Sequence, residues 1–157
     1  MKNARGEEVT LRGVNAGGLG VVELWMNGFQ YGGGDDGIYC QDHYTLTQEF
    51  LSRFGEEKTK ELWLAYQQNW WSDDDFKNCA DMGMNVIRLP FTYMNVDFDA
   101  VTNFENAGKN YDFTMLDDFI DGAASHGLYV ILDLHGAYGS QNGKDHSGQS
   151  KAANEVD

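Results

Sequence analysis

The sequence is poor in proline and cysteine, and it has no long hydrophobic run. One proline against nineteen glycines is not the composition of a proline-rich linker, and 41% hydrophobic residues over 157 positions suffice for one globular domain. No apolar stretch approaches the roughly 20 residues that a membrane helix needs, so no membrane span is expected. A basic start followed by an apolar segment is also lacking, so no signal peptide is expected within the sequence.

Positive charge is scarce as well. Eleven basic residues stand against 25 acidic ones, which gives a formal net charge of −14. Such a surface repels phosphate backbones and anionic membranes, so nucleic acid is not an expected partner. A neutral ligand such as a sugar is neither attracted nor repelled by this net charge.

Metal-ligand patterns are missing too. Cys40 and Cys79 have no metal-type spacing and are compatible with one disulfide or with two free thiols. The histidines share no zinc-type spacing, and the stretch Asp35 to Gly37 lacks the alternating ligands of a calcium loop. No metal is therefore expected.

The first half of the chain divides into a loop and a helix. Glycine and aspartate are concentrated between residues 27 and 55, which predicts a long surface loop. Helical spacing begins after that stretch, where Leu62, Tyr66 and Trp70 recur at every fourth position and would share one face.

Two further helices are bounded by clear start and stop signals. Ser72 followed by Asp75 resembles a capping box, and the helix that it starts would end at Gly83. A second helix is predicted over residues 112–126, ending at Gly127. Apolar residues recur at helical spacing in both; they are Phe76, Cys79 and Ala80 in the first, and Met115, Leu116, Phe119, Ile120 and Ala123 in the second.

Each of these glycines is followed by a hydrophobic strand of similar sequence. "GMNVIRLPF" covers residues 83–91 and "GLYVILDLH" covers residues 127–135, while "VTLRGVN" at residues 9–15 predicts an earlier strand that leads into a Gly17-Gly18 turn. A repeat of helix, glycine and buried strand predicts a parallel sheet with helical crossovers. Near-continuous hydrophobicity predicts strands that are covered on both faces.

Alternation along these strands sorts their polar side chains. Arg88 lies on the face of its strand opposite Ile87 and Leu89, and Asp133 and His135 share one face of theirs. An unpaired buried charge is costly, so Arg88 and Asp133 should face the same interior and interact. Two interpretations stay open: a site at the carboxyl ends of the strands, or a structural ion pair with a core histidine.

The segments "LRGVNAGGLGVVELW", "GMNVIRLPF" and "LYVILDLHGAYGSQNGKDHSG" together resemble the exo-β-1,3-glucanase-like branch of glycoside hydrolase family 5, the cellulase family. The resemblance extends over almost the whole chain, and the last motif is the most specific. It implies an α/β fold, the (β/α)₈ TIM barrel, of which this chain would hold about the first three strands. It also implies retaining hydrolysis of β-glucan without a cofactor.

The resemblance assigns roles to four residues. Arg88 matches an arginine that orients the nucleophilic carboxylate, and His135 matches a histidine that contacts sugar hydroxyls. Glu23 matches a glutamate that binds hydroxyls of the non-reducing sugar, and Asp145 matches an aspartate that lines the glucose pocket. Trp25 is either a stacking face for sugar or a packing residue.

The chain departs from the family pattern at several rim positions. Leu19 stands where the resemblance has a tryptophan, and Leu24 and Tyr138 stand where it has prolines. Its "FDN" is Lys144-Asp145-His146 here. Because of these changes, the sequence predicts neither the linkage preference nor the choice between exo and endo action.

The catalytic pair is the largest departure. Retaining glycosidases need two carboxyl groups about 5–5.5 Å apart, which this family carries as glutamates on later strands. Asn154-Glu155 does not end a predicted strand, so both glutamates are expected downstream, and residues 1–157 would be the N-terminal portion of one catalytic domain. The intact protein would meet β-glucan outside the cell. The alternative is an inactive half-barrel that only binds carbohydrate, self-associates or pairs with the missing half.

Overall fold

The computed structural model of the chain describes residues 1–28 and 40–150. Strands β1 (Gly13–Asn15), β2 (Val86–Thr92) and β3 (Tyr129–Gly136) form a parallel sheet in the order β1-β2-β3. The helices are α1 (Leu24–Asn27), α2 (His43–Trp70), α3 (Asp73–Asp81), α4 (Asp99–Thr102) and α5 (Thr114–Ser125). Strands that follow one another in sequence are neighbours in the sheet, as at the start of a (β/α)₈ barrel, and the predicted parallel sheet is confirmed.

The main core lies between β2 and the helices α3 and α5. Ile87 and Leu89, on one face of β2, are fully buried. They belong to one cluster with the apolar faces of the two helices, whose buried members are Phe76, Cys79, Leu116, Phe119 and Ala123. Gly83 and Gly127 follow these helices with φ of 78° and 72°, which confirms both predicted helix ends.

The predicted loop over residues 27–55 is wrong from the start of α2 onward. Asp42 caps this helix, since its carboxylate accepts a hydrogen bond of 2.7 Å from the backbone N–H of Thr45. The helix is kinked at Gly55, whose φ of 75° is not helical, and helical structure resumes on the other side of this residue. Several residues buried in its first turns are polar, so the hydrophobic spacing that would reveal a helix is weak. Residues 29–39 of the predicted loop lie outside the described ranges.

The last turns of α2 hold the exit of β1. The Tyr66 hydroxyl donates to the carbonyl of Gly18 at 2.7 Å, and the Trp70 indole N–H donates to that of Gly17 at 2.8 Å. Gly18 has φ of 80°, and a Cβ there would lie 2.8 Å from the Trp70 ring. The predicted glycine turn is therefore confirmed. Trp63 of the same helix is buried as well, although it follows Leu62 in the chain and was not among the residues of the predicted face.

The outer strands are less covered than their hydrophobicity predicts. β1 has three residues where seven were predicted, and β3 leaves large apolar side chains on both faces open, namely Tyr129, Ile131, Leu132 and Leu134, each between 44% and 56% exposed. Of the three described strands, β2 alone lies between two others and is buried along most of its length. The prediction of strands covered on both faces is thus wrong for β3, because a sheet of three strands has no closing neighbour.

The two cysteines are buried free thiols that lie in different clusters, and burial raises the pKa of both. Across residues 1–28 and 40–150, no helix combines the length and hydrophobicity that crossing a membrane requires. No group of three histidine, cysteine, aspartate or glutamate side chains in these ranges is placed to hold a metal ion.

Candidate functional site

A hydrogen-bonded cluster of polar side chains lies on one face of the sheet. Arg88 of β2 and Asp133 of β3 pair at 2.5 Å between Nη2 and Oδ2, and His135 Nδ1 lies 2.8 Å from the same oxygen. Register explains the contact: Arg88 pairs with Ile131 and Pro90 with Asp133, so side chains at these alternate positions point to one side. The predicted interaction between Arg88 and Asp133 is confirmed.

The cluster orients the histidine. Nδ1 of His135 faces both Asp133 Oδ2 and, at 3.3 Å, Nη2 of Arg88. Because the guanidinium has only donors and the carboxylate only acceptors, a proton on Nδ1 is best placed towards Asp133. Nε2 has no hydrogen-bond partner within the described ranges. About a third of each of the three side chains is exposed.

The cluster has a fourth member that was not predicted from the sequence. Asn15, the last residue of β1, accepts a hydrogen bond of 3.2 Å from Nη1 of Arg88. It lies opposite Arg88 in the register between β1 and β2. The available signal was its position at the end of a predicted strand, where parallel strands collect polar groups.

Glu23 lies near the same end of the sheet but does not touch the cluster in the described structure. A bridge between Gly20 and Phe91 places its segment beside the end of β2. The Glu23 carboxylate accepts a hydrogen bond of 2.9 Å from the Trp25 indole N–H. Trp25 is 60% exposed, so the interpretation of Trp25 as a packing residue is wrong.

Asp145 begins a 3₁₀ turn that folds back towards His135. The His135 and His146 ring centroids are 6.5 Å apart, whereas the ion pair of Asp145 is with its neighbour His146, at 3.8 Å. The structure thus brings Arg88 and His135 into contact with each other. It leaves Glu23 and Asp145 at the edge of that cluster.

A cavity lies elsewhere, between α2 and α5. It measures about 740 Å³, and its walls include the aromatic side chains Trp63, Trp71, Phe76 and Phe119. None of the four predicted site residues lines it. The Arg88 cluster instead lies on a partly exposed face of the three-stranded sheet. We place the candidate site at the cluster because charged and polar groups converge there.

Comparison with solved structures defines the class of fold. The crystal structure of rutinosidase from Aspergillus niger superposes with a TM-score of 0.65 at 20% identity, over 90% of this chain and 37% of that one. At this identity the likeness concerns the fold alone. It agrees with the sequential parallel strands of the described structure, and the fold is that of the N-terminal part of a (β/α)₈ barrel, with three of its strands.

Sequence comparison then identifies the family. The model of "Cellulase (glycosyl hydrolase family 5)" matches residues 48–156, and the chain belongs to this family. A probable glucan 1,3-beta-glucosidase A of Aspergillus clavatus is 36% identical over 141 residues, and a sporulation-specific glucan 1,3-beta-glucosidase of Saccharomyces cerevisiae is 33% identical over 144. Each match covers 88% of this chain and 31% of the relative, so the chain spans about a third of these curated relatives.

Proposed function

We propose that this chain is the N-terminal portion, residues 1–157, of the catalytic domain of a retaining glycoside hydrolase that cleaves β-glucan, β-1,3- or β-1,4-linked. The observation that carries the proposal is the Arg88–Asp133–His135 cluster on one face of the parallel strands β2 and β3, in a chain of glycosyl hydrolase family 5. Relatives named glucan 1,3-beta-glucosidase support the substrate class. Such a polymer is met outside the cell, so we propose that the enzyme acts in polysaccharide degradation as a secreted or cell-surface protein.

Arg88 would hold the nucleophile in place. Its described contacts use Nη1 and Nη2, which leaves N–H groups of the guanidinium for a second carboxylate. A guanidinium beside that carboxylate would keep it ionised and orient it for attack. Asp133 and Asn15 would in turn fix the guanidinium.

His135, Glu23 and Asp145 would bind the sugar. His135 offers Nε2, while the two carboxylates at the edge of the cluster offer acceptors for hydroxyl groups. Trp25 exposes a ring beside Glu23 on which a sugar face could stack. Together they would form one half of a glucose-sized pocket.

The acid/base and the nucleophile would come from later strands. Two glutamates about 5–5.5 Å apart are required for retention, and we expect both beyond Asp157. Asn154-Glu155 lies outside the described residues and does not enter the site as we propose it. The 157-residue piece alone should therefore be inactive.

The test is hydrolysis of laminarin, lichenan and carboxymethylcellulose by the intact enzyme and its Arg88→Ala variant. Because Arg88 would act on the nucleophile, kcat should fall by about 100-fold while KM changes little. Arg12→Ala is a matched control, since Arg12 is an exposed arginine before β1, at the opposite end of the sheet. Equal losses in kcat and in affinity would contradict the role, and a wild type inactive on all three glucans would overturn the proposed function.

One observation favours a second candidate, a half-barrel that binds carbohydrate or assembles without catalysis. Leu132 and Leu134 of β3 are 46% and 56% exposed beside an unpaired strand edge. A free 157-residue chain should self-associate or pair with the missing half-barrel to cover them. Size-exclusion chromatography at several concentrations tests this, and a monomer that unfolds cooperatively would contradict it.

A further inference from the structure

Tyr138 joins two loops at the end of the sheet where the cluster lies. Its hydroxyl donates to Oδ2 of Asp97, in the segment after β2, and the backbone N–H of Gly108 donates to the same oxygen at 2.7 Å. Asp97 is fully buried, and its other carboxylate oxygen has no partner in the part of the chain that the structure describes. A buried carboxylate depends on its few donors, so the bond from Tyr138 is a strong constraint.

The ring of Tyr138, which is 37% exposed, packs against two other aromatic rings. Its centroid lies 4.7 Å from that of buried Tyr93 and 6.0 Å from that of Phe104, at an interplanar angle of 78° in the second case. Burial, together with the bond to Asp97, raises the pKa of the Tyr138 hydroxyl well above its usual value. It therefore remains a donor across the pH range in which an enzyme works.

Residues 137–150, the β3 loop, return from Tyr138 to the candidate site. The backbone of Gly136 packs so closely on the loop that a Cβ there would lie 2.5 Å from the carbonyl oxygen of Ser147. The far end is tied to α2, since the N–H of Ser150 donates to Asp42 Oδ2 at 2.6 Å. The loop is thus anchored at both ends, and its 3₁₀ turn with Asp145 lies between the anchors.

We propose that Tyr138 is a positioning residue for substrate binding: its bond to Asp97 fixes the β3 loop so that Asp145 faces the sugar. This inference rests on the proposed function. Where the family resemblance has a proline, which would restrict the loop through its own φ, this chain restricts it through a side-chain hydroxyl. Removal of the hydroxyl should loosen the loop without touching the reacting groups.

The experiment is Tyr138→Phe in the intact enzyme. KM for the preferred glucan should rise about tenfold, while kcat changes less than about twofold, because only binding is affected. Amides of the β3 loop and of Gly108 should exchange hydrogen faster. Tyr111→Phe is the matched control, since Tyr111 is half-exposed and its hydroxyl, 3.5 Å from that of Tyr138, should matter little.

An unchanged KM, or a fall in kcat as large as the rise in KM, would overturn the positioning role. If Tyr138→Phe does not fold, Asp97→Asn tests the same contact. Because the amide keeps one acceptor oxygen, KM should rise by a smaller factor in this variant. An unchanged KM in Asp97→Asn would also overturn the positioning role. Should the wild type hydrolyse no glucan, the proposed function fails, and loop exchange in the variants still decides whether Tyr138 holds the loop.

Discussion

The pairing of Arg88 with Asp133 should contribute measurably to stability. The two side chains are 35% and 29% exposed, between the limits of a surface pair and a buried one. Surface pairs contribute about 0–1 kcal/mol, and the loss of one partner of a buried pair costs about 3–5 kcal/mol. We therefore expect a coupling energy of about 1–2 kcal/mol.

A double-mutant cycle measures this coupling. Arg88→Gln, Asp133→Asn and the double variant are compared with the wild type by urea unfolding, and each kcal/mol also corresponds to about 2–4 °C in Tm. Lys58 and Glu61 form the matched control pair, at 2.6 Å but 58% and 64% exposed, for which coupling should stay below about 0.5 kcal/mol. A coupling of Arg88 and Asp133 below about 0.3 kcal/mol would refute the reasoning from register and burial.

Two further predictions concern stability. Burial lowers the pKa of His43 from 6.5 to about 4. The unfolded chain therefore takes up a proton at a higher pH than the folded chain does. The contribution of His43 to the free energy of unfolding is complete above about pH 6.5 and falls by up to about 3 kcal/mol towards pH 4. Urea unfolding at several pH values measures this, and His43→Gln should remove that part of the slope; the same slope in both proteins would contradict it. Gly13→Ala would place a Cβ 1.7 Å from the Val86 carbonyl oxygen and should cost about 2 kcal/mol or more, whereas Gly17→Ala, with its nearest neighbour at 3.7 Å, should cost less than about 1 kcal/mol. Equal Tm values for the two alanine variants would show that β1 does not pack as described.

Local patterns predicted the elements whose signals lie within a few residues. The helices α3 and α5 have apolar residues at helical spacing and a glycine with positive φ after the last turn, and both were found. The first half of α2 was missed, because its cap and its polar buried residues give no hydrophobic period. Short-range signals work only where the buried face is apolar.

The candidate site was predicted in part for the same reason. Alternation along β2 and β3 placed Arg88 and Asp133 on one face, since the side-chain period of a strand is two. Asn15 was missed because nothing in its own segment indicates which residue of β2 lies opposite it. The positions of Glu23 and Asp145 relative to the cluster depend on the paths of loops.

The helix and strand periods, the glycine stops and the motifs of the family depend on neighbours along the chain, so they can be recognised without a structure. The bond from the Tyr138 hydroxyl to Asp97 and the exposure of Leu134 on an open edge become visible in the folded chain alone. A hydrogen bond or a buried surface needs two groups close in space. When they are far apart in sequence, sheet register and loop path together set their distance.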